Sequence, residues 1–323
     1  MSSVAYQGMP GAYSEGASLL AFPGATMDPC ESFEGVFETV EQWLADRGVV
    51  PIENSLGGSI HRNYDLLLRH KLHIVGEVEF PVRHCLMAVP GVGKHQLERI
   101  KSHPQAIDQC EGYIRRLSAA NGANGGRGTI GESWYDTAGA AKDLADSGAT
   151  NEGAIASALA AKIYGLEILE ENIQDVKNNF TRFLVVARDP CSSAAAERGR
   201  SGAGIKTSIV FSLKPGSGQL FKALSVFALR DINMTKIESR PLKIPVTELV
   251  GNDGAKDTTA VKAGGFRKMS DERFDYLFYV DFDASMQEEN AQNALRHLQE
   301  IAPYMRVLGS YPKHKADTSA FDT

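Results

Sequence analysis

No run in the 323 residues approaches the ~18 apolar residues of a membrane span, so no helical membrane anchor is expected in this chain. Long basic stretches are missing too. The net charge of −6 is spread along the sequence, and neither nucleic acid nor an anionic membrane surface is expected as a partner. The four cysteines, Cys30, Cys85, Cys110 and Cys191, make no C-x-x-C pair and have no His-rich neighbourhood. A structural zinc site is therefore not expected, and reduced thiols in a cell interior or organelle stroma are the simple reading. Val4-Ala5-Tyr6 already reads as the first strand, so neither a signal nor a transit peptide is expected here; a removed targeting segment would leave no trace.

What is present fits two ordinary globular domains: 43% of residues are hydrophobic and 23% charged. Up to Asp189-Pro190 the elements alternate α/β; beyond lies a smaller domain. At the seam stands Asn178-Asn179-Phe180-Thr181-Arg182-Phe183, backed by the apolar run Leu184-Val185-Val186-Ala187. Continuous apolar runs suit strands buried on both faces, and strand ends line ligand crevices in open α/β sheets. Thr181 and Arg182 thus read either as ligand groups or as a strand-starting threonine and an ion-paired arginine.

Earlier in the chain, Gly8 and Gly11 lie in a strand-to-helix turn whose N–H groups could meet an anion, though most such turns are only turns. Ser32 reads as the cap of a helix with Phe33, Val36, Phe37, Val40, Trp43 and Leu44 on one stripe. After a short strand, Glu53, Asn54 and Ser55 offer an acceptor, an amide and a hydroxyl, followed by Gly57 and Gly58. His84 could be a ligand group or a hydrogen-bonded histidine at a strand start. Pro90-Gly91 marks a crossover into a second lobe. There, Ser102 and His103 precede Pro104 at a helix N-terminus that would favour a carboxylate, and Gln109 comes one turn further in. Asp136 and Ser157 open further helices, and the chain returns to the first lobe near Asn178.

Residues 191–205, rich in Ser, Ala, Gly and Arg, read as a linker. Next come strand, helix and strand, a polar Gly-rich excursion at 243–273, then strand, helix and strand. This is the βαββαβ plan of a ferredoxin-like sheet, a type that often pairs edge to edge into oligomers.

The order Tyr6-Gln7-Gly8, Pro51 to Ser59, Ser102-His103-Pro104-Gln105-Ala106, Asp136-Thr137-Ala138, Thr181-Arg182-Phe183 and Glu238-Ser239-Arg240-Pro241 closely resembles the prephenate/arogenate dehydratases over nearly the whole chain. Asn54 to Asp65 looks like the plant and algal branch. The resemblance implies an α/β catalytic domain at 1–190, two-lobed like type II periplasmic binding proteins. Lobe I would hold about 1–90 and 178–190, and lobe II about 91–177. A ferredoxin-like ACT regulatory domain would follow at 206–312, with a tail at 313–323. It also implies a lyase that removes water and CO2 from arogenate to give phenylalanine, with some activity on prephenate, and with no cofactor or metal.

By resemblance, Thr181, Glu53 and Asn54 are the expected catalytic residues; Ser55, Ser102, Gln109, Arg182 and Phe183 would bind substrate. Phenylalanine would be the effector, held by Gly218, Leu220, Asn233, Met234, Glu238, Ser239 and Arg240. Here Gly218-Gln219-Leu220 departs from the family's Gly-Ala-Leu. A soluble homo-oligomer in the plastid stroma, dimer or tetramer through the ACT domains, is expected. No chorismate mutase helix precedes Val4, so a bifunctional enzyme is not expected. The alternative is a catalytically silent amino-acid-binding regulator.

Overall fold

The computed structural model describes residues 2–123, 128–191, 204–241 and 276–314. The excursion at 243–273, and all but the ends of the linker and the tail, lie outside them. Residues 1–70 and 78–185 form one compact unit; residues 71–77 and the described part of 186–323 form another.

The first unit carries the alternating pattern. Its opening elements are β1 (Ser3–Gln7), α1 (Tyr13–Ala21), β2 (Thr26–Cys30), α2 (Phe33–Glu41), β3 (Arg47–Asn54), β4 (Gly58–Ser59), α3 (His61–Arg69) and β5 (His73–Pro81). Then follow β6 (Cys85–Ala88), β7 (Arg99–Ser102), α4 (Pro104–Gln109), α5 (Glu111–Ala123), β8 (Ile130–Ser133), α6 (Thr137–Ser147), β9 (Glu152–Ala156), α7 (Ala158–Tyr164), β10 (Glu167–Glu170) and β11 (Phe180–Ala187). Two sheets result, ordered β2-β1-β3-β11-β5 and β10-β6-β9-β7-β8. Strand β11 inserts between β3 and β5, so the chain leaves the first lobe after β5 and returns to it at Phe180. This is the two-lobed, type II binding-protein arrangement.

Local chemistry explains the boundaries. Ser32 Oγ accepts from the Gly35 N–H at 3.1 Å, and Val36, Phe37 and Val40 form the buried stripe of α2. Trp43 and Leu44, expected on that stripe, lie beyond the helix. Trp43 takes φ 64° and the Leu44 N–H folds back to the Thr39 carbonyl, which leaves both side chains exposed. Asp136 and Ser157 cap α6 and α7, each of which stops at a glycine in the left-handed region.

The turn after β1 is no open anion cradle. The Gly8 N–H donates to the Cys30 carbonyl, Gly11 to Glu15 Oε2 at 2.6 Å and Ala12 to the Met9 carbonyl. Helix α7 of the other lobe seals the turn: Ser157 Oγ donates to the Gly11 carbonyl and Tyr164 to that of Pro10. Gly11 has φ 92°, and a Cβ there would stand 2.7 Å from the Ala160 Cα.

In the second unit, β12 (Ile205–Ser212), α8 (Gln219–Ala228), β13 (Met234–Pro241), β14 (Tyr276–Phe282), α9 (Glu289–Ile301) and β15 (Tyr304–Pro312) build a four-stranded antiparallel sheet, ordered β13-β14-β12-β15. Odd positions of β12, Ile209 and Phe211, pack with Phe227, Val280, Phe282, Leu295 and Leu298. Even positions carry a buried polar set: Ser208 Oγ meets Asp281 Oδ1 at 2.6 Å and the Tyr311 hydroxyl at 2.7 Å, and Lys206 Nζ meets both Glu77 oxygens at 2.8 Å. Residues 71–77, which the sequence groups with the first domain, cluster with this unit, so that the boundary falls within β5. The Gly309 backbone lies so close to the Ile74 carbonyl that a Cβ would overlap it.

Among the described residues, no helix is long and apolar enough to cross a membrane.

Candidate active site

A cleft of about 240 Å³ in the first unit is lined from both lobes, by Tyr13, Asn54, Gly57, His84, His103, Gln105, Gln109, Thr137, Thr181 and Phe183 among others. None of its lining residues is Lys, Arg, Asp or Glu.

The site grows from two adjacent strand ends. At the end of β3, Asn54 Oδ1 accepts the backbone N–H groups of Leu56 (3.0 Å) and Gly57 (2.7 Å). This fixes the amide, because main-chain N–H groups only donate. Asn54 Nδ2 then faces Asn179 Oδ1 at 2.8 Å, Thr181 Oγ1 at 3.0 Å and the Phe180 carbonyl at 3.1 Å. Ser55 staples the same strand ends: its N–H donates to the Phe180 carbonyl and its Oγ accepts from the Phe180 N–H. From Asn179 the chain of bonds runs on. Its Nδ2 donates to Gln109 Oε1 at 2.9 Å, the same oxygen lies 2.9 Å from His84 Nε2, and His84 Nδ1 lies 2.7 Å from the Tyr13 hydroxyl.

Asn54, Asn179, Thr181 and His84 are all buried. Burial holds the His84 imidazole below the usual histidine range, against a raising contribution from Gln109. Burial likewise pushes the Tyr13 phenol well above its ordinary value. Both are therefore neutral near pH 7.

The structure brings Thr181, Asn54, Gln109 and Phe183 together in the cleft. Glu53 and Arg182 are not among its lining residues, and alternation along a strand gives the reason: Glu53 adjoins inward Asn54, and Arg182 adjoins inward Thr181. Arg182 had been expected to balance substrate charge. Ser102 does not line the cleft or cap α4; it is fully buried and donates to the Ile155 carbonyl at 2.6 Å. His103 is the N-cap, accepting from the Gln105 N–H. Asn179 and Tyr13, not singled out from sequence as site residues, complete the network; nothing local marks Tyr13, whose partner is 71 residues away.

The expected effector residues lie in the second unit. Gly218, with φ 72°, starts α8, and Leu220 is partly exposed on its first turn. Asn233 precedes β13 and donates to Asp283 Oδ2 at 3.1 Å. Met234, Glu238, Ser239 and Arg240 lie on β13, an edge strand.

The prephenate dehydratase family profile matches residues 4–191. A curated Arabidopsis thaliana protein, "Arogenate dehydratase/prephenate dehydratase 2, chloroplastic", is 54% identical over 309 residues, 96% of this chain and 72% of that protein. A solved prephenate dehydratase from Arthrobacter aurescens in complex with L-Phe superposes with a TM-score of 0.75 at 28% identity, covering 99% of this chain and 95% of that one. A structure titled "GqqA- a novel type of quorum quenching acylases" reaches 0.78 at 31% identity, covering 97% and 98%. The match along most of the catalytic unit and the high identity to the plant protein show that the chain belongs to the prephenate dehydratase family.

Proposed function

We propose that the protein is an arogenate dehydratase that converts arogenate to phenylalanine, CO2 and water, and that also turns over prephenate. The observation that carries this reading is the Thr181 hydroxyl, held by Asn54 in a cleft whose lining has no fixed charge.

In the reaction the bond from ring to carboxylate breaks and releases CO2. Its electron pair enters the ring as the bond to the hydroxyl breaks, leaving an aromatic product. The departing oxygen takes a proton and leaves as water, so each turnover takes up one proton from solvent. Thr181 is the hydrogen-bond donor to that oxygen, with Gln109 beside it. A lone threonine is a poor acid, so it acts within the network rather than as a free proton source. A cleft lining without Lys or Arg offers the ring carboxylate no ion pair that would hold it back from leaving, and Phe183 gives the ring an apolar neighbour. Thr137, the first residue of α6, brings a hydroxyl and a helix N-terminus for the substrate's other polar groups.

The same proposal assigns phenylalanine as an effector at the ferredoxin-like unit, with Gly218, Leu220, Asn233, Met234, Glu238, Ser239 and Arg240 as contacts and homo-oligomers formed through that unit. The L-Phe complex of the Arthrobacter relative supports it. The name of the Arabidopsis relative supports a plastid location.

A fold that also carries a protein titled an acylase does not decide chemistry; the site must. Turnover of arogenate and prephenate measured side by side is the test. Arogenate should be the better substrate, and a protein that binds but turns over neither would be a silent regulator.

A further inference from the structure

We infer that Tyr13 and His84 are positioning residues which, through Gln109 and Asn179, fix the direction of every proton in the cleft network so that Thr181 and Gln109 both face substrate as donors. The inference rests on the dehydratase reading and deepens it.

The argument starts from groups whose polarity is not negotiable. Leu56 and Gly57 N–H can only donate, so Asn54 must turn its Oδ1 to them and its Nδ2 toward β11. Asn179 must then present Oδ1 to Asn54, and so Nδ2 to Gln109. Gln109 must present Oε1 to Asn179, which places an oxygen 2.9 Å from His84 Nε2. That nitrogen must carry a hydrogen. A neutral imidazole has one N–H, so Nδ1 is an acceptor, and the Tyr13 hydroxyl at 2.7 Å supplies its donor.

The Asn54 clamp favours this polarity from one end of the relay, and the Tyr13 hydroxyl, by donating to His84 Nδ1, holds the same tautomer from the other. Two donors remain. Thr181 Oγ1 already accepts from Asn54, and among the described residues its own hydrogen has no acceptor. Gln109 Oε1 already accepts twice, and its Nε2 has no partner among the described residues. Both residues line the cleft.

Tyr13 is the vulnerable end, because the Arg83 carbonyl, 3.0 Å away, competes for its hydroxyl hydrogen. Were His84 to adopt the other tautomer, a lone pair would face Gln109 Oε1. The amide would turn over and offer substrate an acceptor, and Asn179 would be pressed to follow against the Asn54 clamp.

The ring nitrogen chemical shifts of His84, read by 15N NMR on the full chain without substrate, report the tautomer directly. The wild type should show the Nε2–H form throughout about pH 6–8. Tyr13→Phe should admit the Nδ1–H form and lower kcat for arogenate by about tenfold or more, with KM within about twofold. As a second variant, His84→Gln keeps an N–H donor for Gln109 and should retain more activity than His84→Leu. An Nδ1–H form in the wild type would overturn the inference. So would a tautomer indifferent to Tyr13→Phe, a shifted tautomer with unchanged kcat, or His84→Gln no better than His84→Leu. If the wild type turned over neither arogenate nor prephenate, the dehydratase reading would fail while the tautomer measurement still decided the relay's polarity.

Discussion

The two units of the protein each bury a polar network, and the two are made of different chemistry. In the cleft the members are amides, hydroxyls and one imidazole, none of them charged near pH 7. On the sheet of the second unit a full ion pair, Lys206 with Glu77, is buried beside Ser208, Asp281 and Tyr311. A buried ion pair is costly to desolvate and severe to break, but it carries little directional information: either carboxylate oxygen serves the ammonium. An amide network is weaker bond for bond, yet turning one member over changes what its neighbours can do. The first kind of network holds a place; the second holds an orientation.

The comparison can be broken most forcefully at Asn54. Asn54→Asp preserves shape and the bonds from Leu56 and Gly57, but it sets an oxygen against Asn179 Oδ1 and Thr181 Oγ1. Steady-state kinetics should show kcat lower by about 10²–10⁴-fold, with Thr181→Ala in the same range. Near-wild-type activity in either would mean that orientation is not what the cleft provides.

The ion pair should respond in stability instead. Lys206→Met strips the buried Glu77 carboxylate of its ammonium partner, and denaturant unfolding should show a loss of about 3–5 kcal/mol. Adding Glu77→Leu should return much of it, whereas no second substitution of that kind would rescue Asn54→Asp. Smaller again is the expected change at the effector contacts: Asn233→Ala should raise the phenylalanine concentration needed for half-inhibition by about tenfold, read by titration of the full chain.

The smallest effect is a pH dependence. His84 has a folded-state pKa below its unfolded value, so the unfolded chain binds the proton more readily. Its contribution to stability is complete above about pH 6.5 and is lost as pH falls from there through the lower folded value. Comparing unfolding of the wild type and His84→Gln between about pH 5 and 7 isolates it; a contribution that grew on acidification would contradict the burial of a neutral ring.

Much of this was legible in the sequence because strand ends and helix caps are local. Asp136, Ser157 and Ser32 announce their helices by position, and Asn54, Gln109 and Thr181 stand at strand ends or on the short helix that Pro104 opens, where the family resemblance assigns them to the site. Side-chain direction was the weaker part. Glu53 with Asn54, and Thr181 with Arg182, are neighbours on strands, and a period of two cannot turn both members of a pair into one cleft. Ser102 looked like a cap because it precedes Pro104, but its hydroxyl found the Ile155 carbonyl, 53 residues away. Partners at such separations, Tyr13 with His84 or Lys206 with Glu77, leave no local pattern; they exist only once the sheets have formed.

Gly11 gives the two lobes their spacing gauge. Its carbonyl is tied to Ser157, and its α-carbon faces the Ala160 backbone with no room for a methyl group. One additional carbon there would act as a wedge driven between α7 and the turn after β1, and helix α1, which starts two residues later, carries Tyr13. The close seating of α7 on the turn that leads into Tyr13 therefore depends on Gly11 carrying a hydrogen atom where any other residue carries carbon.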